Sequence, residues 1–190
     1  MALTLSPRFA PDGRSVVLSA MRGGDANIFA VDLASRRERQ LTSGSALDVS
    51  PCYSPDGTQI VFNSDRGGDQ QLYVMDANGG GIRRISFGRG RYATPVWSPR
   101  GDLIAFTKMG GGEFRIGVMT PSGGGTRLLT NSWQDEAPSW APNGRIIQFF
   151  RTERGSGKAS LWQVDLTGRN ERRLPTPADA SDPAWGPIRP

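Results

Sequence analysis

The chain has 190 residues and carries 23 Lys and Arg against 18 Asp and Glu, a net charge of +5, with 36% apolar and 22% charged residues. This is the balance of a folded globular domain rather than of a disordered chain. His is absent and Cys52 is the sole cysteine, which excludes an imidazole general base, a Ser-His-Asp triad, a His-ligated zinc and an intrachain disulfide. No apolar run approaches the ~20 residues of a membrane span, and the stretch Met1 to Pro7 has neither the basic nor the apolar segment of a signal peptide.

Proline-centred turns recur along the chain as Phe9-Ala10-Pro11-Asp12-Gly13, Tyr53-Ser54-Pro55-Asp56-Gly57, Trp97-Ser98-Pro99-Arg100-Gly101 and Trp140-Ala141-Pro142-Asn143-Gly144, with a partial copy at Trp185-Gly186-Pro187. A second proline stands four residues upstream each time: Pro7, Pro51, Pro95, Pro138 and Pro183. Such a repeat decides the fold before any local pattern does. After each turn the apolar residues alternate with period two, predicting second strands at 15–19, 59–63, 103–107 and 146–150. Gly-rich loops follow, then third strands at 27–31, 71–75, 115–119 and 160–164, and short fourth strands ending at 40–42, 84–86, 128–130 and 173–175. Nothing reads as a helix.

Four short strands per ~40–45-residue period describe a β-propeller blade. The fold class is therefore all-β, with four-stranded antiparallel blades at 7–50, 51–94, 95–137 and 138–182, and a closing strand over 183–190. Proline sets φ at the leading turn position and glycine supplies the left-handed residue that closes the turn. The aromatics Phe9, Tyr53, Trp97, Trp140 and Trp185 are expected to pack between adjacent blades. A ring must close to remove its open edges, so the unpartnered last strand suggests the C-terminal portion of a larger ring.

On the Pro-Asp-Gly turns, the run Gln71-Leu72-Tyr73-Val74-Met75-Asp76 and the ending Asp182-Pro183-Ala184-Trp185-Gly186-Pro187, the chain resembles the TolB family, periplasmic β-propellers of the Tol-Pal system in Gram-negative bacteria. The stretch Arg91 to Pro99, continued by Phe106-Thr107-Lys108, is similar to the alphaproteobacterial branch. The resemblance implies a six-bladed ring after a small α/β domain, a periplasmic location and no enzymatic activity or cofactor. It implies binding of the peptidoglycan-associated lipoprotein Pal at one mouth, contacts with other Tol proteins, and support of outer-membrane integrity and cell division. Matched by motif, that mouth consists of loops just before each first strand: Leu3 and Ser6; Asp48, Val49 and Ser50; Arg91, Tyr92 and Thr94; Asp135 and Glu136; and Asp182.

Other readings are weaker. Gly88-Arg89-Gly90-Arg91-Tyr92-Ala93 has the spacing of a dinucleotide fingerprint, but Pro95 and a strand follow where a helix is required. Gly155-Ser156-Gly157-Lys158 lacks the first glycine and the final hydroxyl of a P-loop. Net charge by blade is +1, +1, 0 and +2, with +1 after the last blade, so it is spread evenly and argues against nucleic acid. Asp48, Glu136 and Asp182 stand at nearly matching places and could converge on a cation, although they read better as solvated rim charge with no metal. Cys52 reads as a packed residue. The main alternative is the gating propeller of a prolyl-oligopeptidase-like serine peptidase, whose catalytic domain would carry a Gly-x-Ser-x-Gly elbow. A metal-dependent lactonase-type propeller is a third.

Overall fold

The computed structural model describes residues 3–185, with side chains from residue 5 onward. Sixteen strands form four separate sheets, each a four-stranded antiparallel meander in chain order, and the described residues contain no helix. Blade 1 comprises β1 (Leu3–Phe9), β2 (Ser15–Arg22), β3 (Asp25–Asp32) and β4 (Glu38–Gln40). Blade 2 comprises β5 (Val49–Tyr53), β6 (Gln59–Ser64), β7 (Gln71–Asp76) and β8 (Arg83–Arg84). Blade 3 comprises β9 (Arg91–Trp97), β10 (Ile104–Gly110), β11 (Glu113–Met119) and β12 (Arg127–Leu128). Blade 4 comprises β13 (Asp135–Trp140), β14 (Ile146–Thr152), β15 (Ala159–Asp165) and β16 (Arg172–Arg173). The chain divides into two compact units, Met1–Gly88 with the first two blades and Arg89–Pro190 with the last two.

The first turn of each blade repeats closely. Gly13, Gly57, Gly101 and Gly144 donate to the carbonyls of Ala10, Ser54, Ser98 and Ala141 at 2.8–2.9 Å, and all four glycines have φ between 65° and 78°. Glycine takes that conformation without the steric penalty of a Cβ.

The fourth strands are shorter than the sequence pattern suggests, because a hydroxyl takes over the ladder. The amides of Ile28, Leu72 and Ile116 donate to Thr42, Ser86 and Thr130 Oγ at 2.8–3.0 Å, leaving Leu41, Ile85 and Leu129 to drop into the core.

Within the first unit the two blades enclose Val17, Ile28, Ala30, Leu41, Ile60, Phe62, Tyr73 and Met75, with Tyr53 against them. Within the second, Trp140 lies among Ala105, Ile116, Val118, Leu129, Ile147, Phe149 and Val164, and its indole Nε1 donates to the Val96 carbonyl at 3.0 Å. Tyr53 and Trp140 thus pack between blades as expected, whereas Phe9 is 70% exposed.

Two further devices recur at these seams. Arg39 of β4 donates to the Ala77 and Asn78 carbonyls of blade 2 at 3.1 and 3.0 Å, and Arg127 of β12 makes the equivalent bond to Leu166 of blade 4. Beside each clasp a glycine approaches the neighbouring blade: a Cβ on Gly79 would lie 2.7 Å from Leu41 O, and one on Gly168 would lie 2.9 Å from Leu129 O.

Of the closing strand expected over 183–190, Pro183–Trp185 are not in a strand, and residues 186–190 lie outside the described residues.

Candidate functional site

The residues expected in loops ahead of the first strands lie mostly within those strands. Leu3 and Ser6 are in β1, Val49 and Ser50 in β5, Arg91, Tyr92 and Thr94 in β9, and Asp135 and Glu136 in β13, while Asp48 immediately precedes β5. The upstream prolines do not begin the strands but break them in the middle. Register runs Leu5↔Ser19 then Arg8↔Val17, Val49↔Asn63 then Cys52↔Val61, Ala93↔Thr107 then Val96↔Ala105, and Glu136↔Phe150 then Ser139↔Gln148. In each case two residues, the second of them proline, oppose one. This is a β-bulge, the place in a strand where a residue lacking an N–H does least harm.

The residue before each of these prolines has left-handed backbone: Ser6 (φ 52°), Ser50 (54°), Thr94 (46°) and Ala137 (53°), joined by Asp182 (49°) before Pro183. Only one other described non-glycine residue, Arg36, has positive φ. A bulge of this kind normally places glycine there, and a side chain in that region costs on the order of 1–3 kcal/mol, a strain that tends to mark functional positions. Thr94 partly offsets it through a 2.8 Å hydroxyl–hydroxyl bond to Thr107. Ala137 was not among the expected residues, although its place before Pro138 matches Ser50 before Pro51.

Three residues before Pro51, Pro95 and Pro138 the side chain turns inward. Asp48 and Asp135 are fully buried. Asp48 accepts two bonds from Arg66 Nη2 at 2.9 and 3.0 Å, and Asp135 accepts from Arg151 Nε and Nη2 at 2.6 and 2.9 Å. Arg151 also pairs with Glu171 at 2.9 Å and has its pKa raised: burial opposes this, but the bonds and charges of Asp135 and Glu171 outweigh it.

Blade 3 carries buried Tyr92 in this position, with the Lys108 ammonium 5.2 Å from its ring centroid. In blades 2 and 4 the cations likewise lie over rings, Arg66 over Phe62 and Tyr73, Arg151 over Phe149 and Trp162. These cationic partners were not legible, since the acid-to-arginine separations of 18 and 16 residues have no common offset.

The side chains left toward solvent are those of Ser6, Arg91 and Asp182, all exposed, and Val49, Ser50, Thr94 and Glu136, all half-buried. Glu136 accepts from Gln134 Nε2 at 2.9 Å, and Asp182 accepts from Ser181 Oγ at 2.8 Å.

Asp48, Glu136 and Asp182 are not equivalent, which corrects the matching that suggested a shared cation. Asp48 corresponds to Asp135, Glu136 to Val49, and Asp182 to Ser50, counted from the prolines. Among the described residues no group of three or more Cys, Asp or Glu side chains could hold a metal ion. Gly90, of the fingerprint-like run, leads into β9, where a Cβ would lie 2.7 Å from Met109 O; the glycine serves that close approach. Cys52 is half-buried in β5.

Four-stranded meanders with face-to-face seams and a strained bulge in each first strand define a β-propeller of repeated blades. A family model, the TolB beta propeller domain, matches residues 1–189, and the chain belongs to that family. A 64-residue stretch, 34% of the chain, is 84% identical to Tol-Pal system protein TolB 1 of Novosphingobium aromaticivorans and covers 14% of it. The crystal structure of TolB from Acinetobacter baumannii matches 95% of the chain with a TM-score of 0.85 and 31% identity, over 45% of its own length. The chain therefore covers less than half of either TolB relative. A puromycin-hydrolyzing peptidase of Mycobacterium tuberculosis matches 97% of the chain, over 33% of its own, with a TM-score of 0.74 and 16% identity, a likeness of fold alone.

Proposed function

We propose that this chain is a non-catalytic docking propeller of the Tol-Pal system, working in the periplasm. It binds the peptidoglycan-associated lipoprotein through the residues around the first-strand bulges, and through it and other Tol proteins supports outer-membrane integrity and cell division. The observation that carries the reading is the strained pre-proline residue repeated at Ser6, Ser50, Thr94, Ala137 and Asp182. Strain kept in every repeat, where glycine would remove it, fits a backbone shape that is needed for recognition.

Membership of the TolB propeller family supports the system, and the solvent-facing Ser50, Thr94 and Glu136 supply hydrogen-bonding groups to meet a partner's loop. Asp48 and Asp135 act beneath them as positioning residues. Each anchors the chain just ahead of a bulge to an arginine from the second strand or from the turn after it.

The test is calorimetric titration of the chain with a soluble Pal domain, alongside Glu136→Lys and Ser50→Arg. Saturable binding, weakened tenfold or more by each variant, is the expected outcome. A folded chain that gives no heat, or binding indifferent to both substitutions, counts against the reading. Titration of a full-length relative with the same Pal domain then separates an incomplete site from a wrong partner.

A further inference from the structure

Charge that is even from blade to blade is uneven from strand to strand within the blades. The four segments running from the end of each third strand through the fourth, 32–40, 76–84, 120–128 and 165–173, hold nine arginines against five carboxylates and so contain +4 of the net +5. The fourth strand is an edge of every sheet.

Four of the carboxylates there are engaged locally. Asp32 accepts from the Ser35 amide and hydroxyl, Asp165 accepts from Thr167 and Asn170, Glu38 pairs with Arg22, and Glu171 pairs with Arg151. Some arginines are engaged too, Arg39 and Arg127 in the seam clasps. By contrast Arg36 and Arg37 in the first unit, and Arg169 and Arg173 in the second, are exposed and have no ion pair or side-chain hydrogen bond among the described residues.

Arginine on an edge strand also discourages edge-to-edge pairing between molecules. That role covers Arg173 on β16 but not Arg36, Arg37 and Arg169, which lie in turns before β4 and β16. The same segments expose aliphatic side chains. Leu33 lies in the turn with Arg36 and Arg37, and Leu128 lies on β12, whose Arg127 bonds the turn that leads to Arg169. Exposed guanidinium groups and exposed leucines in these segments of each unit suit the interface of an anionic bilayer, where cations meet phosphates and short aliphatics enter the headgroup boundary. Single-stranded nucleic acid would instead call for aromatic platforms along a groove, and no aromatic side chain stands at 33–40 or 165–173.

We propose that each unit carries a peripheral docking patch for anionic phospholipid, Arg36 and Arg37 with Leu33 in the first unit and Arg169 and Arg173 with Leu128 in the second. This surface is separate from the bulges assigned to Pal, and neither reading depends on the other.

The test is co-sedimentation of the full chain with vesicles of phosphatidylglycerol and phosphatidylethanolamine, and with phosphatidylcholine alone, across a salt series. Each basic side chain near an anionic surface contributes roughly fivefold in partitioning. The pair Arg36→Gln/Arg37→Gln, or the pair Arg169→Gln/Arg173→Gln, is therefore expected to weaken binding to the anionic vesicles roughly 25-fold. All four together should reduce it to the level of phosphatidylcholine. Leu33→Asn is expected to weaken binding while leaving the salt dependence unchanged.

Arg14→Gln/Arg145→Gln removes the same charge from exposed residues after the first turns and serves as the control, with circular dichroism verifying the fold of every variant. Failure of the wild-type chain to bind the anionic vesicles overturns the proposal, as does equal weakening by the control pair. So does preferential binding of a single-stranded oligonucleotide with the same dependence on these arginines.

Discussion

The two units solve the same seam problem with different chemistry. In the first, Tyr53 is half-buried and lies against a hydrophobic cluster that includes Tyr73 and Met75. In the second, the equivalent Trp140 is buried and hydrogen-bonded across the seam to Val96. The buried acids differ in the same sense. Asp48 is held by Arg66, which retains 26% side-chain exposure, whereas Asp135 is held by Arg151, which is 14% exposed and also paired with Glu171. A repeat position therefore demands a volume and a charge balance rather than a residue. The more polar solution is the more deeply buried one, because a dry polar group needs every partner satisfied.

Truncating the seam aromatics should break this comparison most strongly. Trp140→Ala is expected to cost about 4 kcal/mol, near the middle of the range for large-to-small core changes, and Tyr53→Ala about half of that because its ring is only partly buried. Urea melts of both variants measure the difference, and equal losses would mean that the indole bond adds nothing to seam strength.

The buried acids come next. Asp135→Ala leaves Arg151 short of a partner in a poorly hydrated site and is expected to cost about 3 kcal/mol. Asp48→Ala should cost less, since Arg66 can reach water and keeps its bond to Ser64.

A smaller effect of opposite sign tests the bulges. Ser50→Gly should stabilise the chain by about 0.5–1 kcal/mol by removing a left-handed side chain. Thr94→Gly should be near neutral, because the relief is offset by loss of the Thr107 bond. Thermal unfolding of the pair reads this out.

The smallest contrast lies in the turns after the third strands. Asp165 is held at about 2, below the usual 3.8, by the Thr167 hydroxyl and then by Asn170. Asp32, its equivalent in blade 1, is lowered by the Ser35 hydroxyl and then by the Ser35 amide. A carboxyl with a depressed folded-state pKa adds stability that is present above its unfolded value and disappears as pH falls through the folded one. Stability should therefore decline between pH 4 and pH 2, and Asp165→Asn should flatten that decline more than Asp32→Asn. Both groups face solvent, so the effect is screened. Denaturant melts at pH 2.5, 4 and 6 provide the measurement.

Much of the fold was legible because its determinants are local. Pro11, Pro55, Pro99 and Pro142 with the glycines two residues on predicted turns that formed as expected, and period-two alternation located the second and third strands to within three residues at either end. The first strands began earlier than the proline pattern implied, since Pro7, Pro51, Pro95 and Pro138 sit inside bulges rather than at strand starts. The candidate residues were found by their distance from those prolines, yet their roles were not. Asp48 and Asp135 were expected at the rim and are buried, and Ala137 was overlooked because an alanine carries no chemistry that a sequence pattern can flag.

Composition, the proline–glycine spacing and the alternation of apolar residues determined by themselves that this is an all-β repeat protein of four-stranded blades, because φ preferences and side-chain alternation act within a few residues. Tertiary structure alone decided which acids meet arginines, which pre-proline residues bear left-handed strain, and that the arginine-rich fourth strands stand at an edge of each sheet. Those outcomes depend on strands folding back on one another, which brings together residues whose separation along the chain has no constant value.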